Sequence, residues 1–191
     1  NDKGRLMARH RDGETAYPGY IDDYAFFAWG LLELYETGFN PYYLRKALEL
    51  SDDMLKLFWD DRKGGFFMYG SDAEQLIYRP KETYDGAIPS GNSVAALNFM
   101  RLAKLTGKQE LSEKALKLLE AFKPEIEAYP TGHTFMLLAL MHVYQPSVEI
   151  VLLPGDDLTA KNDDLAGDNA GSGNTGNATA IINNFTGKDI T

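Results

Sequence analysis

The chain has 191 residues, 44% of them hydrophobic, with a formal net charge of -9 and no cysteine. This is long enough for one domain with a sizeable core, and the acidic balance argues against nucleic-acid phosphate or anionic lipid as the main partner, since both need clustered Lys and Arg. Without cysteine there are no disulfides, thiolate nucleophiles or zinc–thiolate sites, which fits a reducing, cytoplasmic setting.

Asn1 is not a natural start, so chain upstream of it is expected. No apolar run approaches the ~20 residues needed to cross a bilayer. Asp22-Asp23 stands where an N-cap belongs, and Tyr24–Glu36 reads as a helix apolar on nearly all sides, through Phe26, Phe27, Trp29, Leu31, Leu32 and Leu34. Gly38 is the expected stop. Asn40 as cap and Pro41 at the first helical position start a second helix, with an apolar stripe at Leu44, Ala47, Leu48, Met54, Leu55 and Phe58 and charges opposite. Gly64-Gly65-Phe66-Phe67-Met68-Tyr69, a Gly70-Ser71-Asp72 turn and Gln75-Leu76-Ile77-Tyr78 predict a β-hairpin at about 64–79.

The helical pair then recurs. Ser90 caps a mostly apolar helix through Val94, Leu97, Phe99, Leu102 and Leu105, ended by Thr106-Gly107, and 109–122 is amphipathic. Thr37-Gly38 matches Thr106-Gly107, and Lys46-Ala47-Leu48 matches Lys114-Ala115-Leu116, the mark of an internal repeat. A third apolar helix follows at about 132–144, then a strand at 148–153. Residues 154–177 are a Gly/Asn/Asp-rich loop or linker, unable to build a core, and 178–191 read as a short strand and tail. Fully apolar helices alternating with amphipathic ones predict an inner ring covered by an outer ring. The expected fold is mainly α: helical hairpins of a partial toroid over 1–153, with one inserted β-hairpin and a short C-terminal strand region.

Similar segments precede each inner helix: Tyr17-Pro18-Gly19-Tyr20-Ile21-Asp22-Asp23, Tyr84-Asp85-Gly86 through Ser90-Gly91-Asn92, and Tyr129-Pro130-Thr131-Gly132-His133. Inner helices running the same way bring these loops to one rim, where helix N-termini add free N–H groups and partial positive charge. Tyr17, Tyr20, Tyr24, Tyr84, Ser90, Asn92 and His133, with Arg79 and Lys81, are candidate contacts for a hydroxyl-rich ligand such as a sugar. The same tyrosines, glycines and caps are also ordinary turn chemistry. Asp22 or Asp23 opposite Glu82 or Asp85 is the candidate carboxylate pair, because glycosidic hydrolysis needs two carboxyl groups flanking one bond. Helix-capping acids and an ion-pair network around Arg79-Pro80-Lys81-Glu82 account for the same residues without catalysis. No metal motif or cofactor signature stands out.

These rim segments carry a resemblance. Pro18-Gly19-Tyr20-Ile21-Asp22-Asp23-Tyr24-Ala25-Phe26, Leu57-Phe58-Trp59-Asp60, Gly64-Gly65-Phe66-Phe67, Arg79-Pro80-Lys81-Glu82, Tyr84-Asp85-Gly86 and Pro89-Ser90-Gly91-Asn92-Ser93 resemble the spermatogenesis-associated protein 20 / YyaL family over about 4–150. The resemblance implies the C-terminal six-hairpin, (α/α)6 toroid part of proteins that also carry an N-terminal thioredoxin-like domain. It implies a scaffold related to glycosidases and N-acylglucosamine 2-epimerases, but not a reaction. No thioredoxin-like segment is in this chain, so no redox activity is carried over. Relatives often have cysteines near the close of the chain, where Asn183 and Gly187 stand here. The expected function is carbohydrate binding or modification at the rim. The alternative is a non-catalytic module that docks a thioredoxin-like domain or a second copy of itself as a homodimer.

Overall fold

The computed structural model describes residues 4–74 and 78–144 in full, together with the backbone of 147–154 and 178–185. The chain forms two compact units, Asn1–Val143 and Tyr144–Thr191. The first opens with an antiparallel hairpin, β1 (Met7–Arg11) and β2 (Glu14–Pro18), with Arg9 opposite Ala16. Its turn residues Asp12 and Gly13 both have positive φ, 53° and 81°, the geometry an Asp-Gly pair favours between two strands. Helices α1 (Ile21–Gly38), α2 (Pro41–Phe58), α3 (Gly91–Thr106), α4 (Gln109–Ala121), α5 (Lys123–Ala128) and α6 (Thr134–Tyr144) follow. The mainly helical expectation holds. In the second unit, β3 (Ser147–Pro154) pairs antiparallel with β4 (Ala178–Phe185), with Ile150 opposite Ile182. The 155–177 linker expectation lies outside the described residues.

The caps explain the helix ends. Asn40 accepts from the Tyr42 N–H and Pro41 follows it, as expected. Ser90 accepts from the Ser93 N–H, and Gly107 closes α3 in the left-handed region at φ 70°. Helix α1 starts three residues earlier than expected, because Tyr20 takes the cap position and the Tyr20 N–H donates to Asp23. Its stop is also displaced by one residue: Phe39, not Gly38, is left-handed, at φ 50°.

Helix α1 packs against α2 and α3, and α3 packs against α4. Tyr24 at the start of α1 meets Phe58 at the end of α2, ring centroids 5.4 Å apart, so those two are antiparallel. By contrast α1 and α3 run parallel. Asp22 lies against Gly91 at their starts, and Arg101 binds Glu33 at 2.7 Å and Glu36 at 2.8 Å further along. Trp29 packs on Phe135, centroids 5.1 Å apart, bringing α6 beside α1. Every residue from Gly91 to Met100 is buried. Gly91, Ser93, Ala95 and Ala96 are small enough for close helix approach, and Asn98 donates to the Ala25 carbonyl across it at 2.8 Å. The amphipathic α2 and α4 bury only one stripe each, Ala47, Met54 and Phe58 in one and Leu111, Ala115 and Leu118 in the other. Burying each such large side chain contributes about 1.5–3 kcal/mol.

The described residues of the stretch where a hairpin was expected, about 64–79, form no strand, and 75–77 lie outside the described residues. Among the described residues of that stretch the structure has an isolated Trp59–Phe66 bridge and turns, and the hairpin of this unit is β1–β2. The physical reason is competition for backbone partners. The Phe67 N–H donates to the Phe58 carbonyl, the Asp60 N–H to Gly65 and the Ser71 N–H to Leu57, while Phe66 is taken up by the Asn92 side chain. Gly64 and Gly65 both sit at positive φ, 77° and 76°, and pack directly on Lys117 and Phe122 of the α4 end. A strand ladder is incompatible with both features.

Candidate functional site

The N-termini of α1, α3 and α6 meet, and the two adjacent acids of α1 divide their work there. Asp23 folds back to accept from the Tyr20 N–H at 2.8 Å, so it caps its own helix. Asp22 turns to the start of α3, where Gly91 leaves room for its carboxyl; a side chain at position 91 would collide with it. Burial raises the Asp22 pKa, the Gly91 amide partly offsets this without the alignment of a full hydrogen bond, and the charges of Asp23 and Glu82 push it further up. Asp22 is thus half-buried and holds its proton to higher pH than a free aspartate.

Asp85 anchors the third helix. Its Oδ1 accepts from the Ser90 N–H at 3.0 Å, and its Oδ2 accepts from the Phe135 and Met136 N–H groups at 2.7 and 3.2 Å. One carboxylate therefore ties the starts of α3 and α6 together with charge-assisted bonds. His133 lies beneath, only 5% exposed. Its Nδ1 is 2.8 Å from the Tyr129 carbonyl, which can only accept, so the network places the proton on Nδ1 and leaves Nε2 for the Thr83 hydroxyl at 3.3 Å. Above this layer the Tyr84 and Tyr129 rings lie nearly parallel, interplanar angle 6° and centroids 6.4 Å apart, each just over half exposed. Gly132 sits against both rings, where any side chain would displace them. Tyr20 is also exposed and meets Tyr69 edge-on at 5.3 Å.

Several expected ligand contacts are instead interior struts. Tyr24 is fully buried, and its hydroxyl accepts from Arg5 at 2.6 Å and the Leu6 N–H at 3.0 Å, so it holds the N-terminal segment and presents nothing to a ligand. Asn92 is also fully buried; it accepts from the Phe66 N–H at 2.7 Å and donates to the Phe66 and Glu82 carbonyls at 3.0 and 2.8 Å. Ser90 is buried and bonded to Ser93. Tyr17 is 63% exposed on β2 under Arg9, and it lines a shallow cavity of about 310 Å³ with Tyr20, Tyr69 and Arg5.

Arg79 and Lys81 do not join the rim carboxylates. They line a separate open cleft of about 810 Å³ with Asp60, Arg62, Lys63, Phe67, Tyr78, Phe122 and Glu125. Glu82, next to Lys81 in the chain, does not line this cleft. Lys81 binds Asp60 at 2.8 Å, both only slightly exposed. Burial pushes the Asp60 carboxyl up, but Lys81 and the Arg62 and Lys63 N–H groups outweigh it and hold the pKa at about 2. Neither Asp60 nor Arg5 is among the residues expected at the site. Asp60 was visible within Leu57-Phe58-Trp59-Asp60, but its partner 21 residues away was not. Among the described residues no three His, Cys, Asp or Glu gather to hold a metal ion, and no helix is long and apolar enough to cross a membrane.

Comparison with known proteins bears out the resemblance. The chain is 42% identical over 137 residues to Spermatogenesis-associated protein 20 of Rattus norvegicus and 41% identical over 137 residues to that of Homo sapiens, in each case 70% of this chain and 17% of the relative. An uncharacterized protein of Caenorhabditis elegans is 33% identical over 144 residues, 75% of this chain and 19% of its own. The chain thus spans about a sixth of the length of these curated relatives. No family model matches.

Proposed function

We propose, for a chain that belongs over its matched residues to the spermatogenesis-associated protein 20 family, that the rim of α1, α3 and α6 binds carbohydrate and acts on it by acid–base chemistry. The helical hairpins are read as an arc of a six-hairpin toroid. The observation that carries this reading is the Asp22 carboxyl, wedged against Gly91 at the start of α3 and raised in pKa by burial, then by the charges of Asp23 and Glu82, where the starts of α1, α3 and α6 meet. A general acid that protonates a glycosidic oxygen needs such a raised pKa, and a second carboxylate is needed to complete the reaction. Asp22 is assigned as the acid and Glu82 as its partner. Asp23 and Asp85 position the helices, and Tyr20, Tyr84 and Tyr129 supply stacking faces for sugar rings. The test is a titration with mono- and disaccharides followed by NMR. Shifts at Tyr20 and Tyr84 with at least one sugar, and loss of turnover in D22N and E82Q, are expected; no shift with any sugar refutes the proposal.

A second reading, docking, rests on a different observation. Phe27 and Leu34 on α1 and Leu138 and Met141 on α6 are each 44–51% exposed, so both helices present apolar side chains to the outside. Such side chains suit neighbouring hairpins of a ring, the thioredoxin-like domain of the family, or a second copy. Light scattering separates these outcomes: a dimer that F27S/L34S converts to monomer supports docking, and a monomer insensitive to concentration counts against a second copy.

A further inference from the structure

We propose that the cleft holding Arg79 is a binding site for a small polar molecule carrying a phosphate monoester. The charge there runs against that of the chain. Among the described residues, Arg62, Lys63, Arg79 and Lys81 share the cleft with two acids, Asp60 and Glu125, in a protein of net charge -9, and Lys81 is already spoken for by Asp60 at 2.8 Å. Arg79 is the centre of the site. Its guanidinium lies 4.1 Å from the centroid of the Phe67 ring, and its Nη2 donates to the Tyr69 carbonyl at 2.6 Å. Its Nε is buried without an acceptor, and among the described residues no carboxylate pairs with it. With Nε enclosed and Nη2 held by Tyr69, Nη1 is the guanidinium nitrogen that this half-buried, aromatic-backed arginine offers to an oxyanion in the cleft.

The surroundings favour phosphate over a simple carboxylate. Arg62 and Lys63 stand exposed on the same cleft, so a doubly charged group meets three cations, Arg79 among them, not already matched by Asp60. The cleft volume of about 810 Å³ leaves space for the body that bears the phosphate, with Tyr78, 73% exposed, and Phe122 as its walls. The site is separate from the rim, and inorganic phosphate contains no sugar, so failure of the carbohydrate reading leaves this one standing and the reverse also holds.

The experiment is calorimetric or NMR titration of the whole chain with inorganic phosphate, glucose 6-phosphate and glucose, at constant ionic strength set with sodium chloride. Both phosphate-bearing probes are expected to bind, glucose 6-phosphate the more tightly, and R79M to weaken both by roughly tenfold or more, while R79K retains part of the affinity. Phosphate binding no stronger than that of chloride, or R79M equal to the parent chain, overturns the proposal. If circular dichroism shows R79M unfolded, the exposed double variant R62S/K63S replaces it: a clear loss of phosphate affinity supports the site, and unchanged affinity overturns it.

Discussion

Replacing Asn92 with alanine should be among the most damaging single changes to the first unit. The side chain is fully buried and satisfies three backbone groups: the Phe66 N–H, the Phe66 carbonyl and the Glu82 carbonyl. Alanine leaves all three without partners. A buried polar group stranded in this way costs about 1–3 kcal/mol. The Phe66 pair is buried and bears the full cost, whereas the Glu82 carbonyl is half-buried and open to water. The sum is about 3–5 kcal/mol, a large share of the ~5–15 kcal/mol that holds a domain of this size. Urea unfolding followed by circular dichroism measures it, read as a shift of midpoint at constant slope. Trp59, whose ring is 5.0 Å from that of Phe66, gives a local fluorescence signal for the same event. N92D should be no better, since an ionised carboxylate keeps the Phe66 N–H but faces two carbonyls with no donor. A loss below about 1 kcal/mol in N92A would refute the view that this residue clamps 66–82 onto α3.

The titrating groups give two predictions of opposite sign. Asp22 has a raised pKa in the folded protein, so the native state holds its proton to higher pH and ionisation costs stability; D22N should be at least as stable as the parent at pH 7 in thermal melts, its advantage vanishing below about pH 3.8. Asp60 is depressed from 3.8 to about 2, which at 1.36 kcal/mol per pH unit is roughly 2 kcal/mol of stability, present above pH 3.8 and lost as pH falls towards 2. D60N should therefore cost about that much at pH 7, and its unfolding curve should converge with the parent's near pH 2. Gly132→Ala should push Tyr84 and Tyr129 apart and destabilise by about 1–3 kcal/mol, with the tyrosine signals in NMR reporting the displacement. Tyr24→Phe removes the acceptor of the part-buried Leu6 N–H and weakens the hold on Arg5, an expected loss of about 1 kcal/mol by urea unfolding.

Much of the architecture was legible in the residues. The stripes of α2 and α4, the nearly all-apolar α3, the Asn40 and Ser90 caps and the left-handed Gly107 all follow from local chemistry, which acts within one turn of the chain. The β1–β2 hairpin was legible too, through Asp12-Gly13, but its flanking strands are short and exposed and lack the aromatic weight of 64–78. That heavier stretch misled because strand character depends on who answers the backbone. Here the end of α2 and the side chain of Asn92, 26 residues from Phe66, claimed those groups first.

The same division runs through the candidate site. Sequence placed Asp22, Asp23, Asp85 and the tyrosines near three helix starts, because each lies within about five residues of a cap, with Glu82 a little further upstream. Only the tertiary structure separated their roles. One turn of α1 points Tyr24 inward and Asp22 sideways to Gly91, while Lys81 pairs with Asp60 and the charge of Glu82 acts on Asp22. Periodicity tells which residues are buried, but how strongly a carboxylate is desolvated and which charges it meets are set by packing. The burial of Asp22 against Gly91 and the Lys81 partner of Asp60 come from distant segments and are written nowhere in the local sequence, whereas the Asp23 charge beside Asp22 is written there.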